Sequence, residues 1–136
     1  MQHLQVLQNK ITTPETLCKI IAAKRLYGQK IVFTNGCFDL LHPGHIRYLA
    51  AARDLGNFLI IGLNSDASVQ RLKGPNRPIQ NENVRAELMA ALHIVDAIVI
   101  FNEETPLELI SQLKPDVLVK GGDYTVKTIV GADVVL

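Results

Sequence analysis

Two histidines three residues apart, His42 and His45, stand in the stretch Thr34-Asn35-Gly36-Cys37-Phe38-Asp39-Leu40-Leu41-His42-Pro43-Gly44-His45. On the first turn of a helix that spacing puts both imidazoles on neighbouring parts of one face. A helix N-terminus adds exposed N–H groups and a partial positive charge, so imidazoles and amides together form a cradle for an anion such as a triphosphate under attack. Gly36 and Gly44 let the backbone come close to such a ligand. Other chemistries compete. Cys37 could be a nucleophile, although a small, half-buried residue at a strand end accounts for it more simply. The two histidines could bind zinc, but zinc pairs on a helix usually lie four apart and need further ligands that are not nearby. They could also merely pack or cap. Asp39 reads equally as a turn residue bonding its own backbone or as an oxygen ligand for magnesium.

The elements that would position these residues follow from the pattern around them. An apolar strand over 30–34 precedes the stretch, and a helix over 44–54 follows it. A continuous apolar strand over 58–63 comes next, then Asn64-Ser65-Asp66, a short helix over 66–72 and a polar loop, Lys73-Gly74-Pro75-Asn76-Arg77-Pro78. A helix over 81–92, a strand over 96–101, a helix from Thr105-Pro106 to Leu113 and a strand over 116–120 complete the series. Ahead of them, Thr13 reads as an N-cap with Pro14 at the first helical position, and Gly28 closes that helix. Residues 1–12 are expected to be a loosely held extension. Strands separated by helices imply βαβ units, so the expected fold is a single three-layer, Rossmann-like α/β domain with a parallel sheet. Ligands of such sheets bind at the carboxyl ends of the strands. Here those ends carry Asn35 to His45, Asn64 to Asp66, Phe101 to Glu103, and Lys120 to Tyr124.

Bulk properties narrow the function. The 136 residues suit one domain, and 48% hydrophobic with 5% aromatic residues implies an aliphatic core. A net charge of +1 gives no basic field of the kind nucleic-acid binders carry, and Lys73, Arg77, Arg85 and Lys120 are scattered. Cys18 and Cys37 have neither metal nor disulfide spacing, and neither a signal pattern nor a run of membrane-spanning length is present. A cytoplasmic protein is expected.

The stretch Gly-Cys-Phe-Asp-Leu-Leu-His-Pro-Gly-His resembles the His-x-Gly-His signature of the nucleotidyltransferase superfamily, with its adenine nucleotide alpha hydrolase-like fold. The longer string is most similar to the adenylyltransferase of ADP-heptose synthesis, found alone or fused to a sugar kinase. Asn64 to Val69, Arg71 to Gly74, Arg77-Pro78 and Leu118 to Tyr124 extend the resemblance over about residues 14–136. It implies transfer of AMP from ATP, with Mg²⁺, to a heptose 1-phosphate, releasing pyrophosphate without a covalent enzyme intermediate. It further implies that His42, His45 and Lys73 meet the phosphates and that Asp66, Lys73 and Arg85 meet the sugar phosphate. Asn35, Gly36, Cys37, Phe38, Asp39, Gly44, Lys120, Gly121, Gly122 and Asp123 would surround the nucleotide. A homodimer and a sugar kinase in the same pathway are the partners it admits. A cytidylyltransferase for glycerol phosphate, a nucleotide-binding module without catalysis and a flavodoxin-like or receiver-like domain are the alternatives. Against the family pattern, 13–136 is expected to form the domain without its final strand and helix.

Overall fold

The structure is a computed structural model that describes residues 2–103, 105–120 and 126–127. Its elements, in chain order, are α1 (Gln2–Gln8), α2 (Pro14–Leu26), β1 (Ile31–Gly36), α3 (Pro43–Arg53), β2 (Phe58–Asn64), α4 (Asp66–Lys73), α5 (Glu82–Ala90), β3 (Ala97–Phe101), α6 (Leu107–Leu113), β4 (Val117–Val119) and β5 (Val126–Lys127). The sheet runs β3-β2-β1-β4-β5. β1 pairs in parallel with β2 and β4, and β2 with β3, whereas β5 joins the edge antiparallel to β4.

Period-two alternation assigns the strand residues to two cores. Val32, Leu59, Ile61, Ile98 and Val117 point to one face, where Leu49 and Ala52 of α3 and Ala86 and Met89 of α5 cover them. Ile31, Phe33, Ile60, Val99 and Phe101 point to the other, against Leu17 and Ile21 of α2 and Leu109 and Leu113 of α6. Helices on both faces explain why β2 reads as an unbroken apolar run: all seven of its residues are buried. Gly62 is required within it, because a Cβ there would come within 2.6 Å of Phe33 Cζ.

Polar side chains set the ends of the elements. Thr13, Ser65 and Asn81 cap α2, α4 and α5 by accepting from the amides of Thr16, Ser68 and Val84 at 3.2, 3.1 and 2.9 Å. At the amino ends of the strands, Asp116 and Asp96 accept from the amides of Ile31 and Leu59, each at 2.8 Å. These acids tie down one edge of the sheet and leave the opposite, carboxyl edge for ligands.

Two features depart from the expectations. The first residues are no loose extension: α1 forms, and Leu7 and Ile11 pack on the α3/α5 core. The backbone of Lys10 to Thr12 bonds to Ile98 on β3 at 2.8 and 2.9 Å, so the segment covers the outer edge of the sheet. The second is the antiparallel β5, which the uniform βαβ reading did not include.

Candidate active site

Strand order reverses between β1 and β4, because the chain leaves β1 toward β2 on one side and reaches β4 on the other. That crevice is where open α/β sheets take their ligands. The turn leaving β1 is shaped by packing among three residues. Phe38 has φ of 45°, in the left-handed region that a bulky side chain adopts at a cost of about 1–3 kcal/mol. Burial holds it there. Its ring folds back over Gly36, where a Cβ would lie 2.9 Å from Phe38 Cε2, and meets the His45 ring edge-on with centroids 5.4 Å apart. Gly36 therefore makes room for the ring that backs His45.

The two histidines build the start of α3. His42 is its N-cap and accepts at Nδ1 from the amide of Gly44 (3.1 Å), while the His42 amide donates to His45 Nδ1 (3.3 Å). This is a reciprocal capping box made of imidazoles. Pro43, at the first helical position, needs no partner for a missing N–H. Capping and ligand binding are thus compatible rather than alternative roles. Because both Nδ1 atoms accept, each neutral ring carries its proton on Nε2, a tautomer assigned from these contacts. The rings stack with centroids 3.8 Å apart, and both line a cavity of about 460 Å³. Burial, the neighbouring His42 and Lys73 hold His45 below the usual histidine range, so it is neutral near pH 7.

The facing wall is fixed by a buried carboxylate. Asp39, 6% exposed, accepts from the amides of Ile79 (2.8 and 3.0 Å) and Gln80 (2.9 Å) and from Arg77 Nη1 (3.2 Å). Burial opposes its ionisation, but the Gln80 and Ile79 amides and Arg77 outweigh it and hold the carboxyl below the usual carboxylate range. Asp39 is therefore a clamp between the β1 turn and the 74–80 loop, with both oxygens engaged. Its partners thus lie in the 74–80 loop and not in its own turn, a role that neither of its two readings described. Among the described residues no three His, Cys, Asp or Glu side chains converge as a metal site. Tyr48, one turn beyond His45, also reaches the cavity. Its hydroxyl meets Thr34 Oγ1, which donates to the Val119 carbonyl at 2.8 Å and so links α3, β1 and β4.

Of the expected site residues, Asn35, Gly36, Cys37, Phe38, Asp39, His42, Gly44, His45 and Lys73 line this one cavity. Lys73 comes from the last turn of α4 rather than from the loop after it. Cys37 is half-buried, and burial raises its thiol despite Lys73 and Arg85, so it is a protonated wall residue and no activated nucleophile.

Arg85 is a correction. Expected to meet a sugar phosphate, it is 0% exposed and absent from the cavity wall. Its guanidinium donates to the carbonyls of Gln80, Cys37 and Asn64 at 2.9, 2.7 and 2.8 Å and to Asp66 Oδ1 at 2.8 Å. Asp66 is likewise drawn into this tie and lies outside the cavity lining. Lys120 is exposed just past β4 and is not on the wall, while Gly121, Gly122 and Asp123 lie outside the described residues. Arg77 and Tyr48 are wall residues that the sequence reading gave no role. For Tyr48 the signal was its position three after His45; for Arg77, its place in the Gly/Pro loop between α4 and α5.

A parallel α/β sheet with a histidine-capped helix at its switch point defines a nucleotidyltransferase-like domain. The chain belongs to the cytidylyltransferase-like family, whose model matches residues 33–135. It is 61% identical to the bifunctional protein HldE of Trichlorobacter lovleyi over 93% of this chain and 26% of that protein. HldE of Caulobacter sp. is 56% identical over 99% of this chain and 28% of the relative. The chain therefore spans about a quarter of the length of the curated relatives it matches. Among solved structures, the lipopolysaccharide core biosynthesis protein from Thermoplasma volcanium matches with a TM-score of 0.63 and 32% identity, over 77% of this chain and 82% of that one.

Proposed function

We propose that the protein transfers the adenylyl group of ATP to a heptose 1-phosphate, giving ADP-heptose and pyrophosphate. The observation that carries this reading is the imidazole capping box, which holds both histidines at a helix N-terminus on the wall of one cavity. An oxygen of the sugar phosphate attacks the α-phosphorus of ATP, a new P–O bond forms, and the bond from that phosphorus to the bridging oxygen breaks. Negative charge grows on the α-phosphate oxygens and on the leaving pyrophosphate. Fixed donors aimed at those oxygens lower the barrier without reorganising at the moment of reaction. His42 and His45 supply them, and Lys73 balances charge at the rim.

Mg²⁺ enters as part of the MgATP substrate. The one carboxylate on the described cavity wall, Asp39, is already engaged by amides and Arg77.

The choice of sugar and base rests on the resemblance of Thr34 to His45 and of the later strings, and on the relatives. Several relatives bear a name that declares two functions, and a solved relative is a lipopolysaccharide core biosynthesis protein. A chain with one of those two activities, beside a sugar kinase, accommodates the quarter of their length that it spans. The family's own description supports a second reading, a cytidylyltransferase. Pyrophosphate release measured with ATP or CTP against heptose 1-phosphate and glycerol 3-phosphate separates them. Turnover with ATP and the heptose is expected; turnover with CTP alone would overturn the assignment.

A further inference from the structure

We infer that Arg77 is the acceptor-recognition residue of the site, its guanidinium steadied by Asp39 to take the phosphate of the incoming sugar phosphate. The inference rests on the proposed function. That reaction brings two anions into one cavity, and among the described wall residues Lys73 and Arg77 are the two permanent cations. Arg85, the other candidate, is enclosed and fully engaged. The second anion has Arg77 to meet.

The Asp39 contact steadies this side chain without consuming it. Among the carboxylate's contacts, Arg77 makes the longest, 3.2 Å, and the Ile79 and Gln80 amides already engage both oxygens. Arg77 gives that bond one N–H of the five a guanidinium carries, and its side chain is 44% exposed against 6% for Asp39. A fork held at one corner has the pre-organisation that bidentate phosphate recognition needs.

Topology points to the acceptor rather than the nucleotide. The ligand crevice opens between β1 and β4, whereas the 74–80 loop connects α4 and α5, which contact β2 and so lie on the other flank of β1. The histidine pair, at the start of α3, shares one cavity wall with Arg77. A nucleotide entering from the β4 side presents its α-phosphate to the histidines, and the attacking phosphate approaches from the side Arg77 guards.

The test is calorimetric binding of heptose 1-phosphate in the presence of α,β-methylene-ATP, and of α,β-methylene-ATP alone, to the wild-type protein, Arg77→Ala and Arg77→Lys. Arg77→Ala is expected to lose about 10- to 100-fold in affinity for the sugar phosphate, the range of a lost charge-assisted pair, with nucleotide affinity unchanged. Arg77→Lys is expected to recover part of the loss, because it restores charge without the fork, and an unaltered melting temperature checks that both variants fold. Undiminished sugar phosphate binding in Arg77→Ala, or an equal loss of nucleotide binding, overturns the inference. Pyrophosphate release by the wild type is read separately. If it is absent while Arg77→Ala still weakens sugar phosphate binding, the catalytic reading falls and the acceptor site stands.

Discussion

At the scale of the residue, the imidazole pair joins protonation to geometry. His45 can gain a second proton only at Nδ1, the atom that accepts from the His42 amide. Protonation therefore breaks the cap while it charges the ring. Because its folded value lies below the ordinary histidine value of about 6.5, the unfolded chain takes up the proton first as pH falls. The contribution of His45 to stability is present above that value and is lost as pH drops from it through the lower folded one. Urea midpoints at several pH values should show this slope, and it should vanish in His45→Gln. Turnover in the same variant should drop by about 10²- to 10³-fold, the usual effect of removing one transition-state donor. Much of this was legible in the residues themselves, since spacing and the flanking Pro and Gly placed both rings on a first helical turn. That each ring spends its Nδ1 on the backbone was not, because it depends on rotamers that only the folded turn selects.

At the scale of the element, strands and helices were readable because apolar runs and capping residues alternate cleanly from residue 30 onward. What pattern could not supply was depth. Arg85 lies on α5 at a position that reads as a cation facing a ligand, yet α5 turns it inward to hold the ends of β1 and β2 and the 74–80 loop. Similarly, residues 1–12 are too short for a periodic signal, and they dock because the open edge of β3 and the α3/α5 core receive them. The Arg85 tie makes a quantitative expectation. Arg85→Met leaves three carbonyls and Asp66 without their donor and should destabilise the protein by about 3–5 kcal/mol in urea denaturation. Arg85→Lys should recover little of that, since one ammonium cannot span the same acceptors. A loss of sugar phosphate affinity with unchanged stability would instead return Arg85 to the substrate.

At the scale of the molecule, the two ends of the sheet do different work. Carboxylates at the amino edge hold strand amides, and the carboxyl edge keeps its imidazoles and cations for ligands. No helix among the described residues is long and apolar enough to cross a membrane. The described side chains form no resident metal site either, so EDTA should stop pyrophosphate release by stripping MgATP. It should leave the melting temperature of the nucleotide-free protein where it was. A shift on chelation would reveal a metal that belongs to the fold. Gly121, Gly122 and Asp123, which the family resemblance puts around the nucleotide, lie outside the described residues.

The histidine at the start of α3 also records a compromise. Asp, Asn and Ser cap helices well, and a carboxylate there gains further from the helix dipole. His42→Asp should accordingly stabilise the fold by about 0.5–1 kcal/mol while its negative charge repels the phosphates and abolishes turnover. If so, position 42 is one where thermal robustness and activity select opposite residues. A library screened for heat resistance alone would drift toward inactive protein there, and the histidine persists only while the reaction is under selection.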